Sequence, residues 1–554
     1  MSTWKEAYST RTDLSAYGDN GLALFALALR FGIEDLESIA NDAITDGNDD
    51  KKCDLVYVNK EEQYAVVGQC YMSSREKREA PANKASDLNT GLAWLLQRQI
   101  DEVPARIKSA AIELRSELKS GNIKKLYIWY IHNLPESANV KEEMVTVQHT
   151  ASSILLSDFS EFKYNVYSNE VGDDSLKVWY EESLSPILVN DEFEIDCIGG
   201  YKSNGSNWTS YSTSVSAQFL HRIYKKHKTN IFSANVRDYL GSRSSDSNIN
   251  NGIKKTLDQE PENFWAFNNG LTILTHQIGE VENNKFKVKG FSIVNGAQTT
   301  GAIGSLSKLP EISANVQARF VSVNDGDSDI IHKIIQYNNS QNKIEASDFR
   351  STDKFQKRLK SEFEQIPDAE YDGGRRGGSA SAIKRRNKLL PSYTVGQALA
   401  CFHQEPVVAY NSKSAIWISD KLYSKFFNES TKAAHIVCAY ALVKSVSNKK
   451  KQIIDKKTNL TSTEKEQLDF FRQRGSIFLF CSAVVASLEI ILDRRVPNYF
   501  RISFGNNVSP KEAEKYWSEI VEIMISFCLQ LNKALEGGLK VRKQLLRLLQ
   551  HFVH

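Results

Sequence analysis

Between residues 20 and 46 the apolar positions Leu22, Leu24, Phe25, Leu27, Leu29, Ile33, Leu36, Ile39 and Ile44 fall mostly at helical spacing, which predicts two short helices around Gly32. An acidic, glycine-containing turn then runs from Asp42 to Asp50. Two β-rich runs follow, Asp54 to Val58 and Tyr64 to Val67, joined by Asn59 to Gln63, and a hairpin is expected. Helices are expected over 85–119, and Lys125 to Ile131 is a continuous apolar run of the kind a buried strand carries. Short mixed segments over 141–196 read as a bridging region.

Farther along, strand candidates at 193–198, 271–278, 284–294 and 315–322 alternate with helices near 216–226 and 328–337, which implies an α/β domain. After about residue 392 the apolar positions keep a helical period, at 394–404, 431–446, 464–491 and 510–549, and a helical bundle is expected. Lys449 to Lys457 reads as a solvated loop between two of its helices. The chain is thus expected to be an α/β multidomain protein, with an αβ core over 1–140, the bridge over 141–196, a central α/β domain over 197–392 and a helical region over 393–554.

Composition narrows the class. A chain of 554 residues is too long for one core of ordinary size, and with 41% hydrophobic and 25% charged residues it folds as a globular protein. The net charge of +3 announces no polyanion partner by itself. Seven scattered cysteines without a CxxC pair suit a reducing cytosol and speak against zinc. No run approaches the roughly 20 apolar residues of a membrane span, and the first residues lack a signal layout, so a cytoplasmic protein without a membrane partner is expected.

Four asparagine- and glycine-marked signatures carry the candidate chemistry of the middle third: Asn235-Val-Arg-Asp-Tyr-Leu-Gly241, Phe264-Trp-Ala-Phe-Asn-Asn-Gly270, Ile293-Val-Asn-Gly-Ala-Gln-Thr299 and Tyr337-Asn-Asn-Ser-Gln-Asn342. Side-chain amides offer a donor and an acceptor on a short arm, and glycine permits close backbone approach. Asn268, Asn269, Asn295, Gln298, Asn338, Asn339, Gln341 and Asn342 are therefore candidates to line one polar pocket, with Arg237 as an anion partner. The alternative is that Asn295 and Gln298 serve only their own turns. The run from Gly290 to Gly304 reads as strand, glycine turn and helix start, a layout that favours phosphate although it lacks the Walker lysine. Between Arg375 and Lys388 lie six cations in fourteen residues, and Arg375, Arg376, Lys384, Arg385 and Arg386 are candidates for nucleic-acid or phosphate contact, with a solvated loop as the alternative.

In this order and spacing the four signatures resemble the AIPR family, named for abortive infection and phage resistance. The resemblance covers roughly 200–410 and takes in Tyr371-Asp-Gly-Gly-Arg-Arg-Gly377. The order helix, hairpin, helix, strand at the amino terminus is similar to the restriction-endonuclease-like, PD-(D/E)xK-type module often found ahead of AIPR domains, where an aspartate opens one strand and Gln-x-Lys closes the next. Asp54 and Gln69 match those positions and would hold Mg²⁺, but Tyr71 stands where the lysine belongs. Lys84 is the first candidate for the missing charge, with Lys60 and Lys77 behind it. A degenerate, non-cleaving fold and an unrelated αβ domain are the alternatives.

What the resemblance implies is a bacterial antiphage protein that binds nucleic acid or a nucleotide and cleaves nucleic acid with Mg²⁺. Two other readings stay open: a non-catalytic sensor of nucleic acid or of a phage-encoded trigger acting through a homo-oligomer or partner, and a nucleotide-binding or nucleotide-hydrolysing pocket among the amides.

Overall fold

The structure is a computed structural model that describes all residues except 1–2, 34, 46, 48, 162, 185–186, 188, 198, 228–230, 233–252, 254, 307–313, 325–327, 340–349, 351–352, 374–386, 457–458, 536–538 and 540–554. It holds two sheets and a helical region. In the first sheet β1 (Leu55–Asn59) pairs antiparallel with β2 (Tyr64–Tyr71), which runs parallel to β3 (Lys125–His132), itself parallel to β4 (Asn165–Val171). The hairpin expected from the β-rich runs is present, with Leu55 opposite Gly68.

Both faces of this sheet are covered, as the continuous apolar run of β3 requires. One face packs on the helices Ala82–Leu96, Ala105–Lys119 and Ala138–Asp158 through Leu88, Leu92, Ile107, Leu114 and Val147. The other packs on the helix Asn20–Phe31, apolar on all sides and buried throughout, which ends at Gly32 in the left-handed conformation (φ 63°) that glycine adopts without strain. Phe31 stacks on Tyr64 and Trp129 at centroid distances of 4.3 and 5.6 Å. The stretch expected as a bridge instead contributes the helix Ala138–Asp158, strand β4 and the helix Asp173–Leu184 to this unit, because the end of β3 needs a parallel neighbour to satisfy its backbone groups.

The second sheet has the strand order β5-β10-β8-β11-β7-β6, built from β5 (Val189–Asp196), β6 (Tyr201–Asn204), β7 (Trp208–Ser216), β8 (Leu271–Thr275), β9 (Gln277–Ile278, paired with β10), β10 (Lys285–Asn295) and β11 (Asn315–Val323). The sequence pattern missed β6 and β7, whose outward face holds Ser203, Ser210, Ser212 and Ser214 besides Tyr201 and Trp208, and whose inward apolar residues are chiefly Tyr211 and Val215. The helices Ala217–His227 and Ala297–Ser305 cover one face. On the other face Ser328–Asn339 covers part of the sheet, with Ile330, Ile331, Ile334 and Ile335 against Leu274, Val294 and Val323.

The carboxy-terminal third packs as helices, including Ser392–Phe402, Ala433–Asp455, Ser476–Ala486 and Pro510–Met524. Lys449 to Asp455 continues the helix Ala433–Asp455 and is no loop. Lys450 is buried and its ammonium reaches Asn41 O, so this lysine serves the junction with the first unit instead of solvent. Arg474 crosses the same junction to Val56 O at 2.6 Å and to Glu113 at 2.8 Å. Among the described residues no helix is long and apolar enough to cross a membrane.

Candidate functional site

The turn before β1 brings Asp54 level with Gln69 at one end of the first sheet. The Asp54 amide donates to Gly68 O at 2.9 Å, and its Oδ2 accepts the Cys70 N–H at 2.7 Å, which seats the carboxylate on the end of β2. Gln69 is 5% exposed, and among the described residues none donates a hydrogen bond to its Oε1. A buried carbonyl oxygen without a donor costs about 1–3 kcal/mol, so a cation beside it would remove a real penalty. A carboxylate and an amide oxygen are hard donors of the kind Mg²⁺ takes while keeping several waters. Among the described residues no group of three or more histidine, cysteine, aspartate and glutamate side chains gathers for a metal, and the donor set does not suit tetrahedral zinc.

Two lysines converge where the Gln-x-Lys pattern departs. Lys77 Nζ lies 2.7 Å from the Tyr71 hydroxyl, and Lys84 Nζ, in the first turn of the helix Ala82–Leu96, lies 4.9 Å from the centre of the Tyr71 ring. The hydrogen bond from Lys77 holds the Tyr71 phenol below its ordinary range. Lys60, the third lysine considered, is 2.8 Å from Glu113 and 2.8 Å from Asn411, at the junction with the helical region. The acidic turn before β1 is tied to itself: Asp50 accepts the Gly47 and Lys52 amides, and Asp49 pairs with Lys51. Asp46 lies outside the described residues.

In the second sheet three of the four amide signatures meet at one corner. Asn268 donates to Thr299 Oγ1 at 3.0 Å and accepts the Gly270 N–H at 2.9 Å. Gly296, at φ 93°, lets the turn after Asn295 sit against Gly270 and Leu271, where a Cβ would lie 2.3 Å from Leu271 Cδ2. Asn295 pairs with Thr272, whose hydroxyl donates to Asn338 Oδ1 at 3.1 Å. Asn338 also takes Arg319 Nη2 at 2.5 Å and gives its own N–H to Ile334 O at 2.8 Å. Asn268 and Asn338 thus spend their amides on the protein, locking β8, the helix Ala297–Ser305 and the helix Ser328–Asn339 together. Asn269 is exposed beside them.

Arg237, Gln341, Asn342, Arg375, Arg376, Lys384, Arg385 and Arg386 lie outside the described residues, as do the side chains of Gln298 and Asn339. Tyr371, which opens the Tyr…Arg-Arg-Gly element, is buried in the helical core and donates to Gln356 Oε1 at 2.7 Å. Sequence reasoning passed over Arg319. Its signal was the alternation Val316-Gln-Ala-Arg-Phe320, which turns Gln317 and Arg319 away from the core.

Fold and site together define a multi-unit mixed α/β protein with a carboxylate–amide pair on its first sheet and an amide-locked corner on its second. The family model for AIPR protein matches residues 232–530, more than half of the chain, and the chain belongs to that family. Membership ties it to abortive-infection antiphage defence. The match runs from the second sheet through the helical region and leaves the first sheet outside. Comparison with curated proteins and with solved structures gave no match.

Proposed function

We propose that the amino-terminal unit is a restriction-endonuclease-like nuclease that cuts nucleic acid with Mg²⁺ in antiphage defence, with Asp54 and Gln69 holding the metal and Lys84 supplying the charge that Tyr71 lacks. The observation that carries this reading is the buried Gln69 Oε1, without a donor among the described residues, level with the Asp54 carboxylate. Mg²⁺, when bound, supplies a Lewis acid for the phosphoryl oxygen and a more acidic water. Asp54 contributes the negative charge that draws a cation to the end of β2. Lys84 presents an ammonium to a phosphate oxygen, and Lys77 fixes the Tyr71 ring beneath it. Hydrolysis places the water oxygen on phosphorus, breaks one P–O ester bond and leaves the departing oxygen protonated.

The test is cleavage of plasmid DNA and of single-stranded RNA by the full chain with Mg²⁺ and with EDTA. Cleavage that needs Mg²⁺ and is lost in Asp54→Ala supports the assignment. Unchanged cleavage by Asp54→Ala removes it.

A further inference from the structure

The second sheet leaves a polar row open at Tyr201 and Arg319, while its far end at Thr272 is buried. Register places Tyr201, Ser212, Arg319 and Thr272 in one row across β6, β7, β11 and β8, since Tyr201 pairs with Ser212, Ser212 with Arg319 and Arg319 with Thr272. Directly paired residues point to the same face, and neighbouring strands lie about 4.8 Å apart, so the row spans about 14 Å. This face is opposite the main core, which takes Tyr211, Val215, Ala318, Phe320, Leu271 and Ile273. One rung along, Ser214 pairs with Gln317, and Trp265 lies over it with its indole N–H donating to Ser214 Oγ at 3.0 Å.

Three large aromatics stand in solvent on or beside this strip: Tyr201 at 66% exposure, Trp265 at 49% and Phe267 at 65%. Burial of Phe264 in the core pins the short helix Phe264–Phe267 to the sheet end and presents its other rings outward. Arg319 lies among them. Among the described residues its hydrogen bonds run from Nη2, to neutral oxygens of Thr272 and Asn338, and no carboxylate pairs with it. A guanidinium carries five N–H donors in a rigid fork, so Nε and Nη1 add donor capacity for an anion beyond the two bonds from Nη2.

We propose that this strip is a binding platform for single-stranded nucleic acid, with Tyr201, Trp265 and Phe267 stacking on bases and Arg319 taking a backbone phosphate. Exposed aromatics on an open sheet face, interleaved with a cation and with serine and glutamine side chains, match what unpaired bases offer: flat π-faces, free polar edges and one negative charge per nucleotide. A duplex keeps its bases stacked inside and offers no faces to these rings. A protein partner with a flat apolar patch would not require an arginine at the centre that meets no carboxylate among the described residues. The platform gives the amide corner a purpose, because Asn338 holds the guanidinium in place and Asn268 fixes the turn that carries Trp265 and Phe267.

The proposal rests on nucleic acid being this protein's ligand, and it is tested without cleavage. Full-length protein carrying Asp54→Ala is titrated in EDTA against fluorescein-labelled single-stranded RNA, single-stranded DNA and a duplex of equal length, read by fluorescence anisotropy. Single strands of at least one kind should bind more tightly than the duplex. Tyr201→Ala and the double variant Trp265→Ala/Phe267→Ala should each weaken binding about 5- to 100-fold. Arg319→Met should flatten the salt dependence by about one phosphate. All four side chains are exposed or stand at the surface, and thermal melting of each variant checks that the fold survives. Variants that bind like the parent, a preference for duplex, or no binding of any single strand each overturn the platform. If the platform variants bind normally while Asp54→Ala abolishes cleavage, the nuclease reading stands without it. Ring-dependent binding by a chain that cuts nothing leaves the platform standing alone.

Discussion

Arg474, in the turn between the helices Ser462–Arg472 and Ser476–Ala486, lies 2.8 Å from Glu113 on the helix Ala105–Lys119, which makes one buried ion pair span the first unit and the helical region. Lys60 and the Tyr410 hydroxyl also reach Glu113, at 2.8 and 2.9 Å. Burial pushes the Glu113 carboxyl up, but Arg474 and Lys60 outweigh it and hold the acid below its usual range. Removing one member of such a set strands a buried charge at a cost of about 3–5 kcal/mol. Arg474→Met should lower stability by that order in urea denaturation, and Arg474→Met combined with Glu113→Gln should lose clearly less than the sum of the two single changes. Additive losses would show that the two groups are not coupled.

His403 and His435 form a second buried pair, Nε2 to Nε2 at 3.0 Å, with His435 Nδ1 donating to Ile502 O at 2.9 Å. That donation leaves His435 Nε2 as the acceptor and His403 as the donor, an arrangement that needs a neutral His435 ring. Burial pulls His403 down to about 3 and His435 down to about 4. Because the folded values lie below the ordinary 6.5, the unfolded chain takes up protons first as the pH falls. Stability contributed by the neutral pair is whole above about pH 6.5 and is lost below it, down to about pH 4 for His435 and about pH 3 for His403, at up to about 1.4 kcal/mol per pH unit for each ring. Unfolding midpoints at pH 7.5, 6 and 4.5 should fall more steeply for the parent than for His403→Gln. Equal slopes would remove the pair from the acid response.

Gly296 has a narrow tolerance. Its φ of 93° and the 2.3 Å that would separate a Cβ from Leu271 Cδ2 both oppose a side chain. Gly296→Ala should cost about 1–3 kcal/mol through backbone strain and crowding at the amide corner. Thermal unfolding measures it, and a loss below a few tenths of a kcal/mol would mean that the corner yields freely.

Tyr71 offers a gain-of-function check on the first sheet. Tyr71→Lys restores Gln-x-Lys on β2, while Lys84→Met removes the ammonium now over the ring. A positioned charge of this kind contributes about 10²-fold or more to hydrolysis. Cleavage should fall about 10- to 100-fold in Lys84→Met and recover when Tyr71→Lys is added. If Lys84→Met cuts at the parental rate, the charge comes from another group.

The hairpin that holds Asp54 and Gln69, the paired helices around Gly32 and the helical last third were legible in the chain, because apolar periodicity reports local structure directly and β3 announces its two covered faces in an unbroken run of large side chains. Sequence alone also determined the family kinship, since ordered short motifs survive without knowledge of their contacts. It did not show β6 and β7, a short polar strand and a serine- and threonine-rich one that together carry little hydrophobic periodicity. Nor did it show that Lys450, one of a run of lysines, is buried, because its partner Asn41 lies 409 positions away. Tertiary structure decided which amides are spent on each other, which lysines reach Tyr71, and that Tyr201, Arg319 and Trp265 share one open face. Those relations are set by strand register and by packing between distant segments, and neither is written in the local spacing of residues.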